Sequence, residues 1–212
     1  MDFERARSDE QKMIRLKQIT DSTRKLFAEE KFEKITLASI AKELSFTRAN
    51  LYKYISSKEE IFLHIITEDI WKWTMDLSDA FAGDRKFTIE EIAEKWALVY
   101  YENRDMIKAM SLLYTIIEKN VSVEKLAKFK HCFFVEMEKI VQITAGIMPD
   151  MPRENIFKFL QFQFNYVIGF YPSTLENDVQ RKAIELSGVQ YEKPDFVESL
   201  KELLIILIKG LS

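Results

Sequence analysis

The chain has 212 residues, 47% of them hydrophobic and 31% charged, enough for one sizeable core or for a small domain joined to a larger one. That balance excludes a disordered polymer, and the longest unbroken aliphatic run, Leu203 to Ile208, falls far short of the roughly 20 residues of a membrane span. A net charge of −3 argues against broad, nonspecific coating of nucleic acid.

The N-terminal MDFERARSDEQ carries charges where a signal peptide would be apolar, so a cytoplasmic protein without membrane contact is expected. The single cysteine, Cys132, has no internal disulfide partner, and its neighbours Phe133 and Phe134 suggest a small buried residue. The charge is unevenly spread. Residues 1–60 hold 13 Lys and Arg against 11 Asp and Glu, and four bases between positions 42 and 58 face only Glu43.

With 5 glycines and 4 prolines, and with Leu, Ile, Phe, Lys and Glu abundant, the chain favours helices throughout. A first helix is expected from about Asp9 to Glu30, with Ile19, Thr23, Leu26 and Phe27 on one stripe. Phe32 and Ile35 follow in a connector. A short helix then opens at Thr36, a suitable N-cap, with Leu37, Ile40, Ala41 and Leu44 at helical offsets.

A break at Ser45 and Phe46 leads to a third helix capped by Thr47. Either Ser56 with Glu59 or Ser57 with Glu60 forms a capping box for a fourth helix running to about Ala80. Further helices are expected at 88–101, 104–118, 122–146, 153–171 and 195–209, broken at Asn103, Asn120, Pro149, Pro152, Pro172 and Pro194.

The third helix mixes its chemistries in an ordered way. At 100° per residue Leu51 and Ile55 point one way, Ala49 and Lys53 the other, and Asn50 and Tyr52 lie on the flanks. The apolar pair anchors the helix, leaving amide, phenol and ammonium groups outward. Arg48 and Asn50 suit guanine and adenine edges in a major groove, and Tyr52, Tyr54 and Lys58 suit phosphate oxygens.

Residues 35–62, ITLASIAKELSFTRANLYKYISSKEEIF, resemble the DNA-binding signature of the TetR family of transcriptional repressors, particularly its drug-responsive members. The matching features are Thr36, the Ile40-Ala41 pair, Thr47, the Asn50-Leu51-Tyr52 core, Tyr54 and the Lys58-Glu59-Glu60 helix opening. The resemblance implies an all-α protein, with a three-helix helix-turn-helix domain over residues 1–56 and a larger effector-binding and dimerisation domain over 57–212. Lys31, Ser45 and Ala49 depart from the pattern, standing where the family usually has glycine. Lys31 and Ser45 are therefore expected in left-handed backbone, at roughly 1 kcal/mol each, and the Ala49 methyl either hinders close approach to a base or meets a thymine methyl.

In the larger part, IFKFLQFQFNYVIGFY, residues 156–171, is apolar almost all round and must be covered on both sides. Phe157, Leu160, Phe164 and Ile168, with Leu203 and Leu207 of the last helix, are the expected dimer contacts in a four-helix interface. Two heads related by a two-fold axis would read half-sites about 34 Å apart on a near-palindromic DNA operator. Trp96, Tyr100, Tyr114, Phe133, Phe134 and Met137 are candidates to line a site for a small hydrophobic or aromatic effector. The resemblance implies that such an effector tilts the fourth helix and draws the heads out of register.

Two other readings compete. Neither His64 nor His131 has a glutamate three residues before it, and phosphate-loop, zinc and nucleophile-elbow patterns are missing, so neither a cofactor nor an enzyme is expected. A helical protein-interaction module or a ligand-binding protein without sequence-specific DNA binding remains the alternative.

Overall fold

The computed structural model describes residues 2–83, 85–175 and 178–212, with side chains from Glu10 onward. Its regular elements are helices: α1 Asp2–Glu29, α2 Leu37–Glu43, α3 Arg48–Leu51, α4 Lys58–Ala80, α5 Ile89–Glu102, α6 Arg104–Leu112, α7 Val123–Ile147, α8 Arg153–Phe170, α9 Asp178–Ser187 and α10 Phe196–Leu211. Single 3-10 turns cover Phe32–Lys34, Glu118–Asn120 and Tyr171–Thr174, and a π turn over Leu113–Ile117 follows α6 directly.

The chain divides into two compact units. The first holds the chain up to Glu68 together with Leu112–Cys132, and the second holds Asp69–Ser111 with Phe133–Ser212. In the first unit, Ile19 and Phe27 of α1, Phe32, Ile35, Ile40 and Ala41 around α2, Leu51 and Ile55, and Ile61 and Phe62 of α4 are all buried. The Phe62 ring meets Phe27 and Phe32 edge-on, each at 4.9 Å between centroids, a favoured aromatic geometry. Polar ties fix α1 to α4: Arg24 donates to the Glu68 carboxylate at 3.0 Å and to the Ile65 carbonyl at 3.2 Å.

In the second unit α10 packs on α5 and on α8. Phe196, Leu200, Leu204 and Ile208, one per helical turn, form the buried stripe of α10, and Asp195 caps its start by accepting from the Glu198 N–H at 2.9 Å. Trp73 and Leu77 of α4, Ile92, Trp96 and Tyr100 of α5, and Phe159 and Val167 of α8 complete the core. Buried Asn103 stitches α4 to the end of α5, donating to Asp76 at 2.8 Å and to the Val99 carbonyl at 2.9 Å.

Several elements differ from the sequence expectation. α1 starts at Asp2 rather than near Asp9, and the single helix expected over 104–118 is α-helical only to Leu112 before the π turn. α9 has no counterpart among the expected helices; Val179, Ala183 and Leu186 fall at helical spacing along it but stay exposed, and Arg181 pairs with Asp178 and Glu185 along its surface. Cys132 is exposed rather than buried, because it lies on the outer side of α7 while Phe129 and Glu136 turn inward.

Candidate nucleic-acid interface

The interface begins with two threonine caps. Thr36 accepts from the Ser39 N–H at 3.1 Å, and the Ser39 hydroxyl accepts in return from the Thr36 N–H at 3.0 Å, closing a capping box on α2. Thr47 accepts from the Asn50 N–H at 3.2 Å and starts α3. Between the helices the Phe46 N–H reaches the Ala41 carbonyl at 2.8 Å and the Ser45 N–H reaches Lys42 at 3.1 Å, which ends α2 in a Schellman turn. Such a turn requires a left-handed residue. Ser45 supplies it at φ 55°, whereas Lys31 sits in ordinary extended backbone at φ −70° and ψ 147° and carries no such strain.

α3 is one helical turn, continued by turn hydrogen bonds through Ile55. Leu51 and Ile55 are buried, as the helical wheel requires, and they hold the turn against the unit's core. Arg48, Ala49, Tyr52 and Lys53 are exposed, Tyr52 at 57%, while Asn50 and Tyr54 are half-buried on the flanks. The outward row therefore offers a guanidinium, a methyl, an amide, phenols and an ammonium along one edge. Arg15 of α1 steadies the preceding turn by lying 5.5 Å from the Phe46 ring centre.

Lys58 lies elsewhere in the balance of forces. Its ammonium donates to the carbonyls of Phe32 at 2.8 Å and Ile35 at 3.0 Å and stands 4.1 Å from the Phe32 ring centre. At least two of its three N–H groups thus fasten the connector before α2 onto the start of α4.

That start is capped by Ser57, which accepts from the Glu60 N–H at 3.2 Å. Glu60 in turn accepts from the Ser56 N–H at 2.7 Å and its hydroxyl at 2.9 Å, and Lys125 of α7 closes on both Ser56 and Glu60. Burial pushes the Glu60 carboxyl up, but Lys125 and the Ser56 donors outweigh it and hold the group below the usual carboxylate range. Lys125 was missed by sequence reasoning. It is 65 positions from Glu60, and no local pattern connects them. His64, one turn further along α4, is held low chiefly by burial, and His131 is exposed.

Two family models divide the chain between them. Residues 19–65 match bacterial regulatory proteins of the tetR family, and residues 67–212 match the tetracyclin repressor-like C-terminal domain. The chain belongs to the TetR family. It is a DNA-binding transcriptional regulator, and the row on α3 lies inside the matched DNA-binding segment.

No curated protein matches this TetR-family chain by sequence. Solved structures share its fold. The TetR-family transcriptional regulator PfmR from Thermus thermophilus is 20% identical, covers 92% of this chain and 98% of its own, and gives a TM-score of 0.57. The fatty acid degradation regulator FadR from Bacillus halodurans is 14% identical over 92% and 95%, with a TM-score of 0.60. A TetR/AcrR-family regulator from Thermobifida fusca is 16% identical over 93% and 98%, with a TM-score of 0.53.

The other expected sites of this TetR-family regulator fall as follows. Trp96 and Tyr100 come together in the buried core of the second unit, whereas Phe133, Phe134 and Met137 follow one another on α7, Phe134 being 64% exposed. Tyr114 belongs with the first unit, is half-exposed, and lies under the Lys130 ammonium. On α8, Phe157 is exposed and Leu160, Phe164 and Ile168 are half-buried. On α10, Leu203 and Leu207 are half-buried beside Ile206, which is 66% exposed. Among the described residues no helix is long and apolar enough to cross a membrane, and no group of His, Cys, Asp and Glu is placed to hold a metal ion.

Proposed function

We propose that the protein is a homodimeric repressor that holds a near-palindromic operator and is released from it by a small hydrophobic effector. The observation that carries the reading is the row on α3, with Leu51 and Ile55 fixing the turn from inside and Arg48, Ala49, Asn50, Tyr52 and Lys53 left outward. Arg48 reads a guanine edge, Asn50 an adenine edge, and Tyr52, Lys53 and Tyr54 hold phosphates. The Ala49 methyl packs on a thymine methyl.

One short turn reads few base pairs, so two are needed. The apolar residues that α8 and α10 leave partly uncovered, Phe157, Leu160, Phe164 and Ile168 with Leu203 and Leu207, support a second copy as the partner. The aromatic core around Trp96 and Tyr100 supports an effector that is apolar over most of its surface. α4 runs unbroken from Lys58, within the matched DNA-binding segment, to Ala80 in the second unit, so it is the element an effector would have to tilt. The effector shifts occupancy only as far as it prefers the DNA-incompetent conformation.

The test is selection of bound duplexes from a randomised DNA pool by the purified protein. An inverted repeat with half-sites about one helical turn apart is the expected outcome. Enrichment of no sequence by folded, dimeric protein would overturn the reading in favour of a helical interaction module.

A further inference from the structure

The core of the second unit contains a group of polar side chains that its packing leaves unsatisfied. Trp73 on α4, Trp96 and Tyr100 on α5 and Gln163 on α8 are buried, the last three completely. The indole N–H groups of both tryptophans, the Tyr100 hydroxyl and both amide atoms of Gln163 make no hydrogen bond of normal length and angle. They converge from three helices. The Trp73 and Tyr100 rings lie 4.9 Å apart, Trp96 stands edge-on to Phe159 at 5.3 Å, and Gln163 and Trp96 approach the Tyr100 hydroxyl as weak hydrogen-bonding neighbours. Burial dominates there and pushes the phenol far above its ordinary range, so Tyr100 keeps its proton.

An unsatisfied buried polar group costs about 1–3 kcal/mol, and several in one place amount to a large part of the roughly 5–15 kcal/mol by which a domain is typically stable. A leucine at position 163 and a phenylalanine at position 100 would fill similar space without that cost. Polar groups retained against such a gradient are expected where something else completes their hydrogen bonds.

The chemistry of that completing group can be read from the inventory. The four side chains carry five N–H and O–H donors and only two acceptor oxygens, so the visitor must chiefly accept. No lysine, arginine or histidine is among the described buried residues, so an anionic head would enter without a counter-charge, at a prohibitive desolvation cost. Flanking rings of Trp73, Tyr100, Trp96 and Phe159 suit a flat apolar body. Resting on the effector-release reading above, we propose that Tyr100, Gln163 and Trp96, with Trp73 beside them, recognise the carbonyl of an uncharged aromatic effector.

The wholly buried position of these groups means that the occupant must part α4, α5 and α8 to enter. Trp73 lies on α4, so recognition and displacement of that helix are one event. Gln163 was not among the residues singled out from the sequence, because a glutamine within an apolar helix shows its isolation only once its neighbours are known.

The test uses the full-length protein and two probes with a carbonyl between aryl groups, benzophenone and N-phenylbenzamide. The controls are diphenylmethane, which lacks the acceptor, and diphenylacetate, which is charged. Binding is followed by the three tryptophan indole N–H resonances in NMR, half-exposed Trp71 serving as internal reference. At least one carbonyl probe should shift the Trp96 and Trp73 resonances, leave Trp71 in place, and bind at least tenfold more tightly than both controls. Gln163→Leu and Tyr100→Phe should each lose tenfold or more of that affinity while melting at or above the wild-type temperature.

Equal binding of benzophenone and diphenylmethane, or no shift with any probe, would overturn the proposal. So would a lower melting temperature for both variants with probe affinity unchanged, since the polar groups would then be satisfied internally by water. The duplex selection is read independently. An inverted repeat without indole shifts removes only the carbonyl site, and indole shifts without an inverted repeat leave a ligand site in a protein that is not an operator-binding repressor.

Discussion

Lys125, in the first turn of α7, closes its ammonium on the Glu60 carboxylate at the opening of α4 and on the Ser56 hydroxyl beside it. Glu60 is almost fully buried, so the pair is better shielded than the surface ion pairs elsewhere on the chain. Its carboxyl titrates lower in the folded chain than in the unfolded one. As pH falls the unfolded chain therefore takes up the proton first, and the stabilisation, complete above the ordinary carboxylate range, is lost on acidification through the lower folded value. Lys125→Met should cost about 1–2 kcal/mol at neutral pH and flatten the acid side of the stability profile, as measured by thermal melts across that range. An unchanged acid limb would mean that the Ser56 donors alone hold the carboxylate.

Lys58 separates two roles that a sequence motif merges. If its ammonium chiefly fastens the Phe32 and Ile35 carbonyls, Lys58→Met should lower the stability of the folded chain by about 1–3 kcal/mol even without DNA. A residue used only on phosphate would leave the melting temperature unchanged and reduce the salt dependence of DNA binding by about one counterion. Melting curves and a salt titration on one protein preparation distinguish the two.

Ser45 holds the left-handed position of the turn between α2 and α3. Ser45→Gly should remove steric strain of roughly 1 kcal/mol, partly offset by the greater freedom of glycine in the unfolded chain. The expected net gain is a few tenths of a kcal/mol or more, read by chemical denaturation. Ala at the same position should bring no gain, because it keeps the Cβ.

Arg48 and Tyr52 should fail differently. Arg48→Ala is expected to relax base preference at one position of each half-site, at about 1–3 kcal/mol for the preferred base, whereas Tyr52→Phe weakens binding to all duplexes alike. Competition binding against single-base operator variants reads both, and equal, sequence-independent losses would remove the base-reading role of Arg48.

The row on α3 is legible in the sequence because everything that shapes it is local. Thr36 and Thr47 act on residues three positions away, and Leu51 and Ile55 declare their face by helical spacing. What escaped depends on distant neighbours. Lys58 offers the same ammonium to phosphate or to a carbonyl, and only the placement of Phe32 and Ile35 shows that it has carbonyls within reach. Phe133 and Phe134 were adjacent aromatics in sequence, yet half of that pair faces outward on α7, and Cys132 goes out with it.

The uncovered apolar residues of α8 and α10 lead to a test of assembly. Ile206→Asp with Leu203→Asp should convert a dimer to a folded monomer in sedimentation and lower operator affinity by at least about tenfold, since each head would bind alone. Unchanged sedimentation would place the second copy on another face.

The π turn at Leu113–Ile117 has a consequence for how this sequence can change. A π turn holds about one residue more than an α turn, so the chain carries slack at that point. Deleting one residue from an ordinary helix swings everything beyond it by about 100° and presents the wrong side chains to the core. Deleting one within 113–117 would instead tighten the turn to α-helical pitch and leave both flanks facing as before. Length variation among natural relatives should therefore be tolerated at this turn and rejected within α4 or α8, where no such reserve exists.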